Sequence, residues 1–240
     1  MFGYDFNSFL REMIYLIPAV AIALSFHEFA HAFVSYKLGD YTQKERGRLT
    51  LNPLKHLDPI GTLCLLFFQF GWAKPVEVDP YYYRNKKEGM IWTALAGPLM
   101  NMLIGFICVF LCYLMIRFNF YSNYSGAVAD YLFQLSYMTA LINIGLGIFN
   151  LIPLPPLDGS KILMGVLSEE TYFNLMRYEM YLSFALILVL VSGVLDGPLF
   201  YARSAIVNCF STISRVLLGC LLYTSPSPRD TERSRMPSSA

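Results

Sequence analysis

Residues 90–116 form a run of 27 without one charged side chain, and residues 131–152 form another of 22. Nothing else constrains the fold of this chain as strongly. About 20 consecutive apolar residues let a helix cross the hydrocarbon core of a bilayer. A backbone in lipid must also satisfy its own N–H and C=O groups, which a helix does. Residues 13–36 are equally long and interrupted only by His27-Glu28-Phe29-Ala30-His31. Residues 180–195 are shorter, and 197–200 extend them if the segment runs on past Asp196. Composition agrees, since only 15% of the 240 residues are charged, against roughly 25% in an ordinary soluble domain. The expected fold is an all-α polytopic membrane protein with about four transmembrane helices.

Several functions are excluded early. A formal net charge of +1 gives no basic surface for nucleic acid. The five cysteines contain no CxxC pair. Cys108 and Cys112, four apart, read as small apolar fillers of one helix. The first apolar segment is too long for the core of a cleavable signal peptide, so none is expected.

The stretch from 60 to 73 decides the topology, because it is apolar but only 14 residues long. Basic residues mark the cytoplasmic side. Five lie in 37–58 (Lys37, Lys44, Arg46, Arg48 and Lys55) and four in 74–89 (Lys74, Arg84, Lys86 and Lys87), against one in 117–130. A spanning 60–73 segment separates the two basic loops; a re-entrant or β-hairpin element keeps both inside. The hairpin is preferred, with the N-terminus and the 117–130 loop outside. Pro53, Pro59 and Gly61 punctuate short strand-like pieces before it. Trp72 and Tyr81 to Tyr83 read as interfacial anchors.

Further on, Ser204, Asn208, Ser211 and Arg215 share one helical face, opposite Ile206, Phe210, Ile213 and Leu217. This pattern predicts a C-terminal amphipathic helix at the interface. Residues 1–219 are taken as one domain. The Ser/Pro/Arg-rich residues 220–240 read as a non-native adaptor read-through or a disordered tail.

The charged interruption at 27–31 carries the chemistry. HExxH on a helix places two imidazoles at i and i+4, on one face and within reach of a single zinc. Glu28, beside them, is placed to take a proton from the attacking water. The bland reading is polar packing against a neighbouring helix. It leaves three ionisable groups without a task, each costing about 2.5–3.5 kcal/mol at the centre of a membrane helix.

A catalytic zinc needs a third protein ligand. His27 and His31 lie roughly 10–15 Å of helix from the cytoplasmic end. Helix 131–152 runs inward under this topology and ends in Asn150-Leu-Ile-Pro-Leu-Pro-Pro-Leu-Asp158-Gly159, bringing Asp158 to the inner side. Pro153, Pro155 and Pro156 stop the helix before that carboxylate, and Gly159 permits a tight approach. His56, the remaining histidine, reads as a surface or turn residue outside the ligand set. Gly97 and Gly105 read as close helix packing.

HEFAH at 27–31, the Asn150-x-x-Pro-x-Pro-x-x-Asp158-Gly159 element and Gly97-x-x-x-Asn101 together resemble the site-2 protease family of intramembrane zinc metallopeptidases. The likeness covers about residues 13–194 and is to compact bacterial members, since no loop has room for a PDZ or CBS insertion. It implies one zinc per chain on His27, His31 and Asp158, with Glu28 as catalytic base. It further implies that Asn150 holds the substrate backbone or stabilises the oxyanion, the alternative for this amide being a polar bond between helices. Cleavage of transmembrane protein substrates in the cell membrane is the implied activity. The charge-based topology puts the active site toward the cytoplasm, and with no room for an attached regulatory domain a partner membrane protein is the expected regulator. Two rival readings are a non-catalytic metal-binding membrane protein and a divalent-metal transporter. Glu28 argues against the first, and the absence of acidic residues from 90–116 and 131–152 against the second.

Overall fold

The computed structural model describes residues 6–61, 64, 74–118, 120 and 126–223. The helices are α1 (Phe6–Lys37), the short α2 (Thr42–Glu45), α3 (Lys86–Arg117), α4 (Gly126–Asn150), the short α5 (Asp158–Ile162), α6 (Glu169–Arg177), α7 (Glu179–Val191) and α8 (Asp196–Tyr223). No strand occurs among the described residues. The expected re-entrant hairpin at 60–73, with Trp72, lies for the most part outside them, as do residues 224–240 of the tail.

Among the described residues, three helices are long and apolar enough to cross a membrane: α1 from Leu10, α3 and α4. The 32 residues of α3 extend about 48 Å, well beyond a hydrocarbon core of about 30 Å. Leu99, Leu103, Ile107 and Leu111 recur every four residues on α3 and are all exposed. Such an apolar stripe suits lipid.

The inward faces are small instead. A Cβ on Gly105 of α3 would lie 2.6 Å from Ile144 Cγ1 of α4, and one on Gly147 would lie 3.2 Å from the Pro98 carbonyl. Small residues let backbones approach where lipid supplies no hydrophobic drive for association. Cys108, Val109, Ala140 and Ile144 form the buried cluster there, covered by Ile206, Val207 and Phe210 of α8. Cys108 and Cys112 are buried free thiols, as expected of fillers.

The C-terminal part departs from expectation. Helix α7 ends at Val191, Gly193 takes a left-handed φ of 73°, and α8 starts afresh at Asp196. Residues 197–200 therefore belong to a new helix and do not prolong the 180–195 segment. Instead α6 and α7 form a pair bent by 62° and apolar enough to count together as a span. In α8, Ser211, Ser214 and Leu218 are buried, while Ile213, Val216 and Leu217 are exposed. The anticipated division into a polar and an apolar face is not the packing seam.

The loop after α1 is helical rather than strand-like. Asn52 Oδ1 accepts from the Leu54 N–H and caps a 3-10 turn at Pro53–Lys55. His56 is fully buried, with Nε2 2.7 Å from the Thr50 carbonyl, so it is a turn residue but not a surface one.

Candidate metal centre

Asp40, fully buried just beyond α1, organises the polar end of the bundle. Its carboxylate accepts from the Asp79 N–H (3.0 Å), the Thr42 N–H (3.0 Å) and the Thr42 hydroxyl (2.5 Å). Ser35 Oγ donates to it over 2.8 Å. A serine has one hydroxyl proton, so the contact of 2.7 Å between Ser35 Oγ and Tyr83 OH has tyrosine as donor. The Tyr83 oxygen then accepts from Thr93 Oγ1 at 3.2 Å. Tyr83 is thus a buried strut, not an interfacial anchor; only Tyr81 and Tyr82 are exposed. Burial pushes the Asp40 carboxyl up, but the Asp79 N–H and the Thr42 and Ser35 hydroxyls outweigh it and hold it below its ordinary value.

This network anchors residues 74–79, a segment without helix that lies against α1. Arg46 pairs with Glu77 at 2.8 Å, Gln43 Nε2 donates to the Glu77 carbonyl, and the Lys74 N–H donates to the His56 carbonyl. The Val76 N–H consequently reaches Glu28 Oε2 at 2.9 Å. Glu28 is buried, and the N–H holds its carboxylate at the wall of a cavity of about 390 Å³.

The same cavity contains His27, His31 and Asp158. Helix α4 ends at Asn150, and turns carry the chain to Asp158 at the start of α5. Gly159 allows this return, because a Cβ there would press on the carbonyls of Leu151 and Ile152. Asp158 Oδ2 lies 3.1 Å from His27 Nε2 and 3.1 Å from His31 Nε2, and the two nitrogens are 3.0 Å apart. All three side chains are buried. The other carboxylate oxygen, Oδ1, pairs with Lys161 Nζ at 3.2 Å, which leaves Oδ2 to the imidazoles.

The donor set fits a zinc ion on two counts. Ligands about 2.0–2.1 Å from a tetrahedral ion stand roughly 3.3 Å apart, close to the triangle observed. The protons agree as well. His31 Nδ1 is 2.6 Å from the Thr93 carbonyl oxygen, which can only accept, so the proton is on Nδ1 and Nε2 of the neutral ring presents a lone pair. Metal-ligating histidines are held in this way, the second nitrogen donating to a fixed acceptor.

Asn150 lines the cavity, but its Nδ2 donates to the Leu146 carbonyl of its own helix at 3.0 Å. That bond lies within α4 and does not join two helices. Among the described residues, only His27, His31 and Asp158 cluster as a metal could require, and His56 stands apart from them. Thr93, Lys161 and the Val76 N–H escaped sequence reasoning. Two of these contacts are made by main-chain atoms, and sequence carries no signal for those.

A protein-family comparison bears on the same region. Residues 15–192, from the first apolar segment past Asp158 and through α7, match the family described as "Peptidase family M50". The chain belongs to that family. Among M50-like relatives, "Putative zinc metalloprotease YwhC" of Bacillus subtilis is 37% identical over 214 residues, covering 87% of this chain and 96% of its own length. "Zinc metalloprotease MJ0392" of Methanocaldococcus jannaschii is 28% identical over 165 residues, 68% of this chain and 37% of its own length. "Putative zinc metalloprotease Rip2" of Mycobacterium tuberculosis is 27% identical over 193 residues, covering 78% of this chain and 70% of its own length. No solved structure gives a significant match. M50 is the site-2 protease family, so the resemblance drawn from the three motifs holds at family level.

Proposed function

We propose that this M50 member is an intramembrane zinc metalloprotease that hydrolyses peptide bonds in or near transmembrane segments of other membrane proteins. One observation carries the reading: His27, His31 and Asp158 converge within about 3 Å of one another in a cavity that Glu28 also lines. The names of the relatives, zinc metalloproteases, support it.

His27 and His31 would hold the ion through Nε2 and Asp158 through Oδ2. When bound, zinc supplies Lewis acidity toward the scissile carbonyl and makes water a nucleophile near neutral pH. Glu28 would take the proton from the attacking water and deliver it to the leaving amine. The Val76 N–H keeps the carboxylate oriented between these transfers. Asn150, released from the Leu146 carbonyl, turns its amide to the substrate backbone or the developing oxyanion. Leu186, Ile187 and Leu190 of α7 form an apolar cavity wall suited to a hydrophobic substrate segment. That segment must unwind locally, because a helix hides its carbonyls in hydrogen bonds. Strand pairing along residues 74–79 is the proposed route, since residues 80–82 form a 3-10 turn and 86–88 begin α3.

The protein is read as a multi-pass resident of the cell membrane, with α1, α3, α4 and the bent α6–α7 pair as spans. Its site opens toward the cytoplasmic side, and a partner membrane protein regulates it. Contact between the two basic loops supports this placement. The deciding experiment measures zinc content and cleavage of a transmembrane substrate by purified wild type and Glu28→Gln. Zinc should be retained and cleavage should fall at least 100-fold; equal cleavage would remove Glu28 from the mechanism.

A further inference from the structure

Thr93, Gly97 and Asn101 stand four apart on α3 and form one stripe, and His27 and His31 form the facing stripe on α1. The helices run in opposite directions. His31 therefore meets Thr93 and His27 meets Asn101, with the glycine between them. A Cβ on Gly97 would lie 2.6 Å from His27 Cε1 and closer still to His31 Nε2. The glycine lets both rings lie against α3. Beside it, Pro98 lacks the N–H that the Ala94 carbonyl would accept and crowds that turn.

Asn101 is fully buried, and its amide is 3.0 Å from His27 Nδ1. Nδ2 is drawn toward the imidazole, while Oδ1 is buried with no hydrogen-bond partner among the described residues. The two ends of an amide are told apart only by their hydrogen bonds. If Nδ2 donates to Nδ1, the proton of neutral His27 sits on Nε2, where it blocks coordination. If the amide turns over, the orphaned oxygen accepts from Nδ1–H, and the lone pair of Nε2 faces Asp158 and His31. The second arrangement reproduces at His27 what the Thr93 carbonyl does at His31.

We infer that Asn101 is the positioning residue for His27: its amide oxygen accepts from Nδ1 and selects the tautomer that can bind the metal. The stripe 93–97–101 is then the outer support of both imidazoles, an acceptor at each end and open space between. This inference rests on the zinc reading of the site, and its test separates the two.

Zinc dissociation constants would be measured by chelator competition on purified metal-free protein, for wild type, His27→Ala, Asn101→Leu, Asn101→Ala and Asn101→Asp. Cobalt(II) absorption of each would report coordination geometry, and melting of the metal-free forms would report folding. Wild type should bind one zinc and His27→Ala should not; if wild type binds none, the metal reading itself fails. Asn101→Leu and Asn101→Ala should weaken zinc about 10–100-fold, the usual cost of losing such an outer partner. Asn101→Asp keeps an acceptor and should stay within about threefold of wild type, with an unchanged cobalt spectrum. Wild-type affinity in either removal variant overturns the inference, as does Asp as weak as Leu. Should both removal variants fail to fold, the zinc-loaded wild type decides by nitrogen-15 spectroscopy. The His27 Nδ1 proton should exchange slowly with solvent, and fast exchange overturns the assignment.

Discussion

A buried carboxylate such as Asp40 is worth keeping only when donors surround it. Two backbone N–H groups and two hydroxyls do so here. Because its carboxyl titrates below the ordinary 3.8, its contribution to stability is complete above that value and is lost as pH falls through the lowered one. Asp40→Asn cannot accept from all four donors and should cost about 1–3 kcal/mol. Amide exchange across 74–79 should quicken in the variant at pH 7, and in wild type only under acid. Equal protection in both at pH 7 would show that the network does not hold this segment. Gly97 gives a second case. Gly97→Ala pushes a methyl into the imidazoles, so zinc occupancy should fall sharply while helix content, followed by circular dichroism, stays unchanged.

Between helices, the seam of α3 with α4 depends on missing side chains. At Gly105 the neighbouring Ile144 side chain already occupies the place of a Cβ. Gly105→Leu should separate the helices and destabilise the protein by about 1–3 kcal/mol or more, read as a lower melting temperature in detergent. A compensating Ile144→Ala should recover part of the loss. Independent penalties would place the two residues out of contact. Helix α8 leans on the same seam through Phe210, whose ring centroid is 5.3 Å from that of Phe106, and through Arg215, which donates to the Tyr113 hydroxyl.

For the whole molecule, the contact between the two basic loops has a topological consequence. Arg46–Glu77 and Asp40–Asp79 join residues 37–58 to residues 74–89, and loops that touch share a side of the membrane. Lys55 and Lys87 are exposed, one in each loop, and Val128 is exposed near the far end of α4. With the native cysteines replaced, Lys55→Cys and Lys87→Cys should react with a membrane-impermeant maleimide only after the cytoplasmic face is opened. Val128→Cys should react in intact cells. Labelling of the two lysine positions from opposite faces would make residues 60–73 a full span.

Patterns inside one helix could be read from sequence alone. Uncharged length marked α1, α3 and α4 as long and apolar enough to cross a bilayer, and the i, i+4 spacing put His27 and His31 on one face beside Glu28. Proline placement ended α4 before Asp158. Whatever depends on two helices meeting was decided by the tertiary structure. That includes the closure of Asp158 on the imidazoles, the Thr93 carbonyl behind His31, the Val76 N–H on Glu28 and the burial of Tyr83 and His56. Polarity also misleads in α8, where Ser211 and Ser214 face protein and Ile213 and Leu217 face outward. Lipid is as apolar as a protein interior, so hydrophobicity there no longer separates inside from outside, and close fit and hydrogen bonding decide.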